Sequence, residues 1–141
     1  VDALVATAPA GVWAYEAVRI AAGVPRQGAE TDHHTLAHEV GWINTAVHLN
    51  KGCYRGQETV SKIERMGKPP RRLTLLLLEG SEDLPMHGAD VMLDGQTVGF
   101  VGAAAQHYEL GPIASAVVKR SVPIDVELQV GGGAAAQLAE S

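Results

Sequence analysis

Adjacent prolines at positions 69 and 70 limit what this chain can fold into more than any other feature of its sequence. Neither residue has a backbone N–H, and both rings fix φ, so the pair cannot lie inside a helix or a central strand. Gly67 before the pair and two arginines after it extend this break. We therefore predict a boundary here, between an N-terminal part at 1–67 and a C-terminal part at 71–131, with a flexible tail at 132–141.

The C-terminal part has the pattern of a small all-β unit. Short apolar stretches separated by Gly and Pro turns favour an antiparallel barrel or sandwich. Asp94-Gly95 predicts a hairpin turn, because both residues tolerate positive φ. The glycine triplet at 131–133 and the Ala-rich end predict the tail. The predicted strands are Leu73–Leu78, Asp90–Leu93, Thr97–Ala104, Ile113–Arg120 and Val126–Val130.

An amphipathic helix is predicted near the start of the chain, from Pro9 to Ala22. Apolar residues recur there every three or four positions, which predicts one buried face. That face comprises Ala10, Trp13, Ala14, Ala17, Ile20, Ala21 and Val24. Thr7 is the expected N-cap, and Gly23 followed by a proline ends the helix. Tyr15 and Arg19 share the opposite face, where they either lie in solvent or line a pocket.

Three further elements are predicted before the prolines. They are a short helix that Thr35 caps and that runs through Trp42, a short strand at Thr45–Leu49, and a helix at Gln57–Met66 that Gly67 terminates.

Clustered histidines raise the question of a metal site. His34 and His38 have the i, i+4 spacing of two ligands on one helical face, and the other available ligands are Asp32, Glu39, His48 and Cys53. The two-histidine metalloprotease pattern has Glu directly after its first His, whereas Glu39 follows the second. We therefore predict no bound metal, and histidines that either lie on the polar surface or hold other polar side chains in place.

Composition excludes several classes of protein. Of the 141 residues, 46% are hydrophobic and 19% charged, which is typical of a globular rather than a disordered chain. The apolar run Leu73–Leu78 is far shorter than the ~18 residues of a membrane-spanning helix, and the start shows no signal-peptide pattern. A single cysteine excludes an internal disulfide framework and a zinc site that needs two or four cysteines. These observations predict a cytoplasmic protein without a membrane partner.

Charge is segregated along the chain. The segment Lys51–Arg72 holds seven of the eleven Lys and Arg residues against two carboxylates, a formal charge of +5. The rest of the chain holds four cations against fourteen carboxylates, a charge of −10. Such a basic segment either attracts anions or is simply a solvated helix face followed by a basic linker.

One cysteine-containing segment within this basic stretch is a candidate site. It reads Lys51-Gly52-Cys53-Tyr54-Arg55-Gly56-Gln57-Glu58 and is called the Cys53 motif below. Cys53 lies between two cations and just before a predicted helix N-terminus, and both features favour the thiolate. The amides of Gln57 and Glu58 are expected to be free to bind an anion. Cys53 is thus the candidate catalytic residue, although a lone cysteine is more often a small buried hydrophobe.

The Cys53 motif resembles the signature octapeptide of the YgfZ family, folate-binding proteins related in fold to the T-protein (aminomethyltransferase) of the glycine cleavage system. Arg19–Pro25 and Thr35–Gly41 resemble the wider family's Arg-Leu-Glu-Ala-Gly-Met-Pro and Thr-x-Pro-x-Glu segments. Val91–Gly99 resembles the first hairpin of its C-terminal barrel. T-proteins usually have Glu at the place of Ala21 and an Asp-Phe-x-Gly-Arg-like sequence at the place of the motif, so the thiol favours the YgfZ branch.

The resemblance implies an α+β fold, the C-terminal part of a three-domain cloverleaf around a folate-sized hole. Residues 1–67 would be the end of the folate-binding α/β core, and 71–131 the complete antiparallel barrel. The implied cofactor is tetrahydrofolate, with Tyr15 against the pterin ring and Arg19 on a folate carboxylate. The chain would then be a C-terminal fragment of a longer protein.

Three functions stay open at this stage, and with them whether the chain is part of an enzyme. The resemblance favours a folate-dependent accessory protein in iron–sulfur cluster assembly or repair, with effects on tRNA modification and iron–sulfur proteins as partners. The alternative is a tetrahydrofolate-dependent aminomethyltransferase, which accepts its one-carbon unit from a lipoyl-bound intermediate. A binding module whose basic segment contacts nucleic acid or another protein is the third, with direct nucleic-acid binding the less favoured.

Overall fold

The computed structural model describes residues 10–79 and 83–138. In these two ranges no helix is long and apolar enough to cross a membrane. Three helices precede six strands: α1 (Val12–Ala21), α2 (Ile43–Ala46), α3 (Gln57–Met66), β1 (Arg71–Glu79), β2 (Asp90–Leu93), β3 (Gln96–His107), β4 (Gly111–Lys119), β5 (Leu128–Val130) and β6 (Gly133–Leu138).

The six strands form a closed antiparallel barrel in the order β1-β4-β3-β2-β5-β6. Closure comes from the pairing of β6 with β1. At the turn between β2 and β3, Asp94 and Gly95 have φ values of 51° and 77°, as the Asp-Gly pair predicts. The predicted barrel is confirmed.

The predicted tail at 132–141 is wrong over residues 133–138. These residues form β6, which pairs with both β5 and β1. Gly131 and Gly132 have φ values of 58° and 86°, so they make the turn that returns the chain to the sheet. Residues 139–141 lie outside the described residues.

The leucine run in β1 is apolar on both faces because both faces are covered. Leu76 and Leu78 lie in the barrel core with residues such as Val101 and Leu128. Leu75 and Leu77 point to the outside, where they pack near α1. Successive leucines of β1 thus point to opposite faces of the sheet and pack in two hydrophobic clusters rather than one.

Helix α1 buries a different face from the predicted one. Ala17 and Ile20 pack on the barrel as expected, but Trp13 is 87% exposed and Val24 is also exposed, while Arg19 is buried. The prediction of Trp13 and Val24 as buried, with Arg19 opposite, is therefore wrong. Ion pairs compensate the buried charge of Arg19, as described below. The helix starts after Gly11, and the predicted cap Thr7 and Pro9 lie outside the described residues.

The segment between α1 and α3 contains turns and one short helix. The predicted helix at Thr35–Trp42 is absent there, because Thr35 and Asp32 instead exchange hydrogen bonds within a turn. The predicted strand at Thr45–Leu49 is also wrong, since Ile43–Ala46 is helical and no described strand of the N-terminal part could pair with it. Helix α3 is confirmed, and Gly67 ends it with a φ of 75°.

We predict that Gly102→Ala destabilises the fold. A methyl group on Gly102 of β3 would lie 2.6 Å from Cγ of Glu30, a side chain with no exposed surface. Overpacking of this kind costs about 1–3 kcal/mol of unfolding free energy, measurable by urea titration. Gly52→Ala is the control, since nothing lies within 4 Å of its added methyl group. Equal stability of the two variants would contradict the prediction.

Candidate functional site

The Cys53 motif lies in an irregular segment between α2 and α3 and exposes its thiol. Cys53 is a free, exposed cysteine, so the expectation that it faces solvent is confirmed. Tyr54 turns the other way: it is half-buried, and its hydroxyl is buried without a hydrogen-bond partner among the described residues. The Nζ atom of Lys51 lies 5.4 Å from the centre of the Tyr54 ring, a cation–π distance.

The end of the motif forms the start of α3. Gly56 has a φ of 81°, a conformation that side chains rarely adopt, and its carbonyl accepts the first helical hydrogen bond, from Val60. The Gln57 N–H donates to the carbonyl of Tyr54 at 3.2 Å. The expectation that the Gln57 amide is free to bind an anion is therefore wrong, because the turn before the helix uses it.

Arg19 is held by protein groups on nearly every side. Its Nη2 donates to Glu16 at 2.8 Å and to Glu30 at 3.1 Å, and its Nη1 donates to the carbonyl of Val24 at 2.6 Å. Its Nε also contacts the Glu16 carboxylate. The Arg19 guanidinium holds the pKa of Glu16 below its ordinary value. A bidentate contact with a folate carboxylate would require Glu16 to leave this arrangement.

Glu30 is the centre of the network to which Arg19 belongs. Its side chain has no exposed surface, and the Ser115 hydroxyl of β4 donates to it at 2.5 Å. The backbone N–H of Arg26 donates to its other oxygen at 2.7 Å. The network therefore fastens α1 and the loop after it to the barrel. Sequence reasoning missed Glu30, because Ser115 lies 85 residues away.

Tyr15 presents its ring to solvent, with 63% of the residue exposed. Neither Tyr15 nor Arg19 lines the open groove between the end of α1 and β1, or the second groove beside Arg26 and His87. Among the described residues, no series of hydrogen bonds, ion pairs or ring contacts links either residue to the Cys53 motif. Tyr15, Arg19 and the Cys53 motif are therefore not joined into one site by these contacts.

A second charged cluster fastens the histidine-containing segment to β1. Arg71 donates to both oxygens of the buried Glu39, at 3.0 and 2.9 Å, and to Asp32 at 3.0 Å. Arg71 holds the pKa of Asp32 well below its ordinary value. Asp32 and Glu39, two of the possible metal ligands, are thus ion-pair partners, and the described ranges contain no group of three or more metal-ligating side chains.

Two cations of the basic segment Lys51–Arg72 have hydrogen-bond partners within the fold. Arg71 forms ion pairs with carboxylates, and Arg72 donates hydrogen bonds to barrel carbonyls and to the side chain of Gln137. The exposed cations of the segment are Lys51, Arg55, Lys62, Arg65 and Lys68. Its positive charge toward solvent therefore lies on α3 and the residues flanking it.

Curated relatives cover most of this chain. Aminomethyltransferases of Nostoc sp. and Thermotoga maritima are 32% and 33% identical to it over 130 and 123 residues, 86% of the chain in both cases. The chain is homologous to the aminomethyltransferases. It spans 33% and 32% of the length of these two relatives, so homology concerns a part of them. No family model matches the sequence.

Comparison of folds agrees with aminomethyltransferase homology. The crystal structure of the glycine cleavage system aminomethyltransferase T from Bartonella henselae superposes with a TM-score of 0.71 at 17% identity. The match covers 88% of this chain and 36% of that one, and places the barrel in the C-terminal region of the aminomethyltransferase fold. The predicted relation to the T-protein fold is thereby confirmed.

We predict that Asp32→Asn lowers stability near neutral pH and less so in acid. The folded pKa of Asp32 lies below its ordinary 3.8, so its ionised form stabilises the fold above pH 3.8. That contribution disappears as the pH falls through the lowered pKa. Water screens this partly exposed pair, so we expect a loss of about 1 kcal/mol at pH 7.

Urea unfolding between pH 7 and pH 2 measures this difference. The exposed Asp125, which is not part of the Arg71 cluster, provides the control variant Asp125→Asn. A gap between wild type and Asp32→Asn that stays constant over this pH range would contradict the assigned ion pair.

We also predict that iodoacetamide alkylates Cys53 in the folded chain. The thiol is exposed, so its modification needs no unfolding, and complete unfolding in urea should raise the rate by less than about tenfold. Mass spectrometry identifies the product directly, because the chain has one cysteine. A thiol that reacts only in urea would contradict the exposed position.

Proposed function

We propose that this chain is part of a tetrahydrofolate-binding protein with the aminomethyltransferase fold, which acts as an accessory protein in iron–sulfur cluster assembly or repair. The observation that carries this proposal is the exposed Cys53 within a motif resembling the YgfZ octapeptide. Effects on tRNA modification would follow indirectly, through iron–sulfur enzymes that modify tRNA. The cytoplasm is the proposed location.

Homology supports the folate part of the proposal. The relatives are named aminomethyltransferases, and the resemblance to that family implies tetrahydrofolate as the cofactor. The residues present fit folate in part. Tyr15 offers an exposed aromatic ring on which a pterin can stack, whereas Arg19 does not offer its guanidinium. We therefore assign Tyr15 to folate contact and Arg19 to holding α1 on the barrel.

Geometry supports a chemical rather than a packing role for Cys53. The thiol points to solvent, while the neighbouring Tyr54 supplies the contact with the protein interior. Arg55 is exposed beside it, and Lys51 lies over the Tyr54 ring. An exposed thiol with cations adjacent in sequence is available for redox or sulfur chemistry with a partner that approaches from solvent. Iron–sulfur proteins are the proposed clients.

An aminomethyltransferase is the second candidate, and the names of the curated relatives favour it. In that function the longer protein would transfer the one-carbon unit itself, and Cys53 would be dispensable. The two candidates share folate binding and differ in their need for the thiol, so substitution of Cys53 separates them.

We predict that Cys53→Ala abolishes support of an iron–sulfur enzyme in a deletion strain while the tetrahydrofolate Kd changes less than about twofold. The variant is made in the longer protein that the resemblance implies, because a pocket enclosed by several parts loses contacts when one part is tested alone. Cys53→Ser is the matched variant, since it keeps the size and removes the thiol. Full rescue by Cys53→Ala would refute the thiol function.

Two further measurements complete this test. Tyr15→Ala should weaken tetrahydrofolate binding about tenfold, which corresponds to ~1.4 kcal/mol, whereas Trp13→Ala, another exposed aromatic residue of α1, should not. Transfer of an aminomethyl carbon to tetrahydrofolate at an unchanged rate by Cys53→Ala would establish the second candidate instead.

A further inference from the structure

Helix α3, which follows the Cys53 motif, has few attachments to the rest of the chain. None of its residues is buried, and its more covered side consists of half-buried residues such as Val60 and Ile63. In the described ranges, one hydrogen bond joins a side chain of α3 to a residue outside the motif and the helix. It connects Nε2 of His38 with Oε2 of Glu64 at 3.0 Å.

His38 is well placed to hold Glu64. Its side chain is 9% exposed, whereas that of Glu64 is 48% exposed, so the histidine is the fixed member of the pair. A carboxylate only accepts hydrogen bonds, so the bond to Glu64 forms in a state of His38 that has a proton on Nε2. Nδ1 of His38 is buried without a hydrogen-bond partner among the described residues, which leaves the bond to Glu64 as its directional contact.

The backbone at His38 is itself fastened to the barrel. Glu39, the next residue, is buried and bonded through its side chain to Arg71. Its carbonyl accepts the backbone N–H of Leu73 in β1 at 2.8 Å. Hydrogen bonds and the backbone thus connect β1 through Glu39 and His38 to Glu64, which lies in the last turns of α3.

We propose that the His38–Glu64 hydrogen bond positions α3, and with it the Cys53 motif, on the barrel. His38 is then a positioning residue that acts through Glu64. Because α3 begins four residues after Cys53, tilting of the helix about the Gly67–Pro70 segment would displace the thiol. This inference deepens the proposed function, since it concerns the placement of the residue assigned to its chemistry.

Amide hydrogen exchange of the 141-residue chain tests the inference. His38→Ala and Glu64→Ala should each raise the exchange rate of α3 amides about three- to tenfold, the range expected for one lost hydrogen bond, and the double variant should add little more. Amides of β3 and β4 should exchange as in wild type, which shows that the barrel is intact. Lys62→Ala is the control, because it truncates another exposed, charged side chain of the same helix and leaves the His38–Glu64 hydrogen bond in place.

His38→Gln separates a positioning role from general packing. Its amide nitrogen can occupy the place of Nε2 and donate to Glu64, so this variant should restore slow exchange in α3, and iodoacetamide should alkylate Cys53 at the wild-type rate. Equal exchange of α3 in His38→Ala and wild type, an equal increase in Lys62→Ala, or failure of His38→Gln to restore protection would each overturn the inference. Folate and client proteins are absent from these measurements, so failure of the proposed function would not affect them.

Discussion

The buried carboxylate of Glu30 fastens α1 and the loop after it to the barrel. A charge without exposed surface is tolerated only when it is paired and hydrogen-bonded, and Glu30 receives Arg19, the Ser115 hydroxyl and the Arg26 amide. These donors come from α1, the barrel and the loop after α1. Loss of one would leave the others beside an uncompensated charge, so the position of α1 on the barrel depends on all of them together.

Some arginines of this chain bind carboxylates inside the fold, and others face solvent. Arg19 on α1 and Arg71 on β1 each bind carboxylates inside the fold. Arg55 and Arg65 are exposed on or beside α3. A formal charge counted along the sequence does not distinguish these uses, because it contains no information about which cations have partners. Within the segment Lys51–Arg72, the cations that face solvent lie on α3 and the residues flanking it.

Local signals predicted the elements whose determinants lie close together in sequence. The Asp94-Gly95 turn and the Gly67 end of α3 follow from backbone conformations that few residues adopt. The strands rich in Leu and Val follow from their apolar runs. Strand β6 was not predictable in this way, because half of its residues are alanines, whose burial depends on the strands on either side rather than on any pattern of their own.

In the candidate site too, features set by neighbouring residues could be predicted from the sequence, and features set by distant residues could not. Exposure of Cys53 agrees with its place among cations and glycines, all within eight residues. The burial of Arg19 depends on Glu30, and that of Glu39 on Arg71, 32 residues further on. Such pairs form only when distant segments meet in the fold, so helical periodicity alone assigned Arg19 to the wrong face.

Closure of the barrel by β6 has a consequence for the order of folding. Strand β1 has β4 on one side and β6 on the other, so its second edge stays unpaired until the last strand of the sheet is in place. Folding therefore requires contacts between residues far apart in sequence, a topology associated with slow folding. While β6 is missing, the hydrophobic β1 offers an open edge to other chains, and aggregation competes with closure during synthesis.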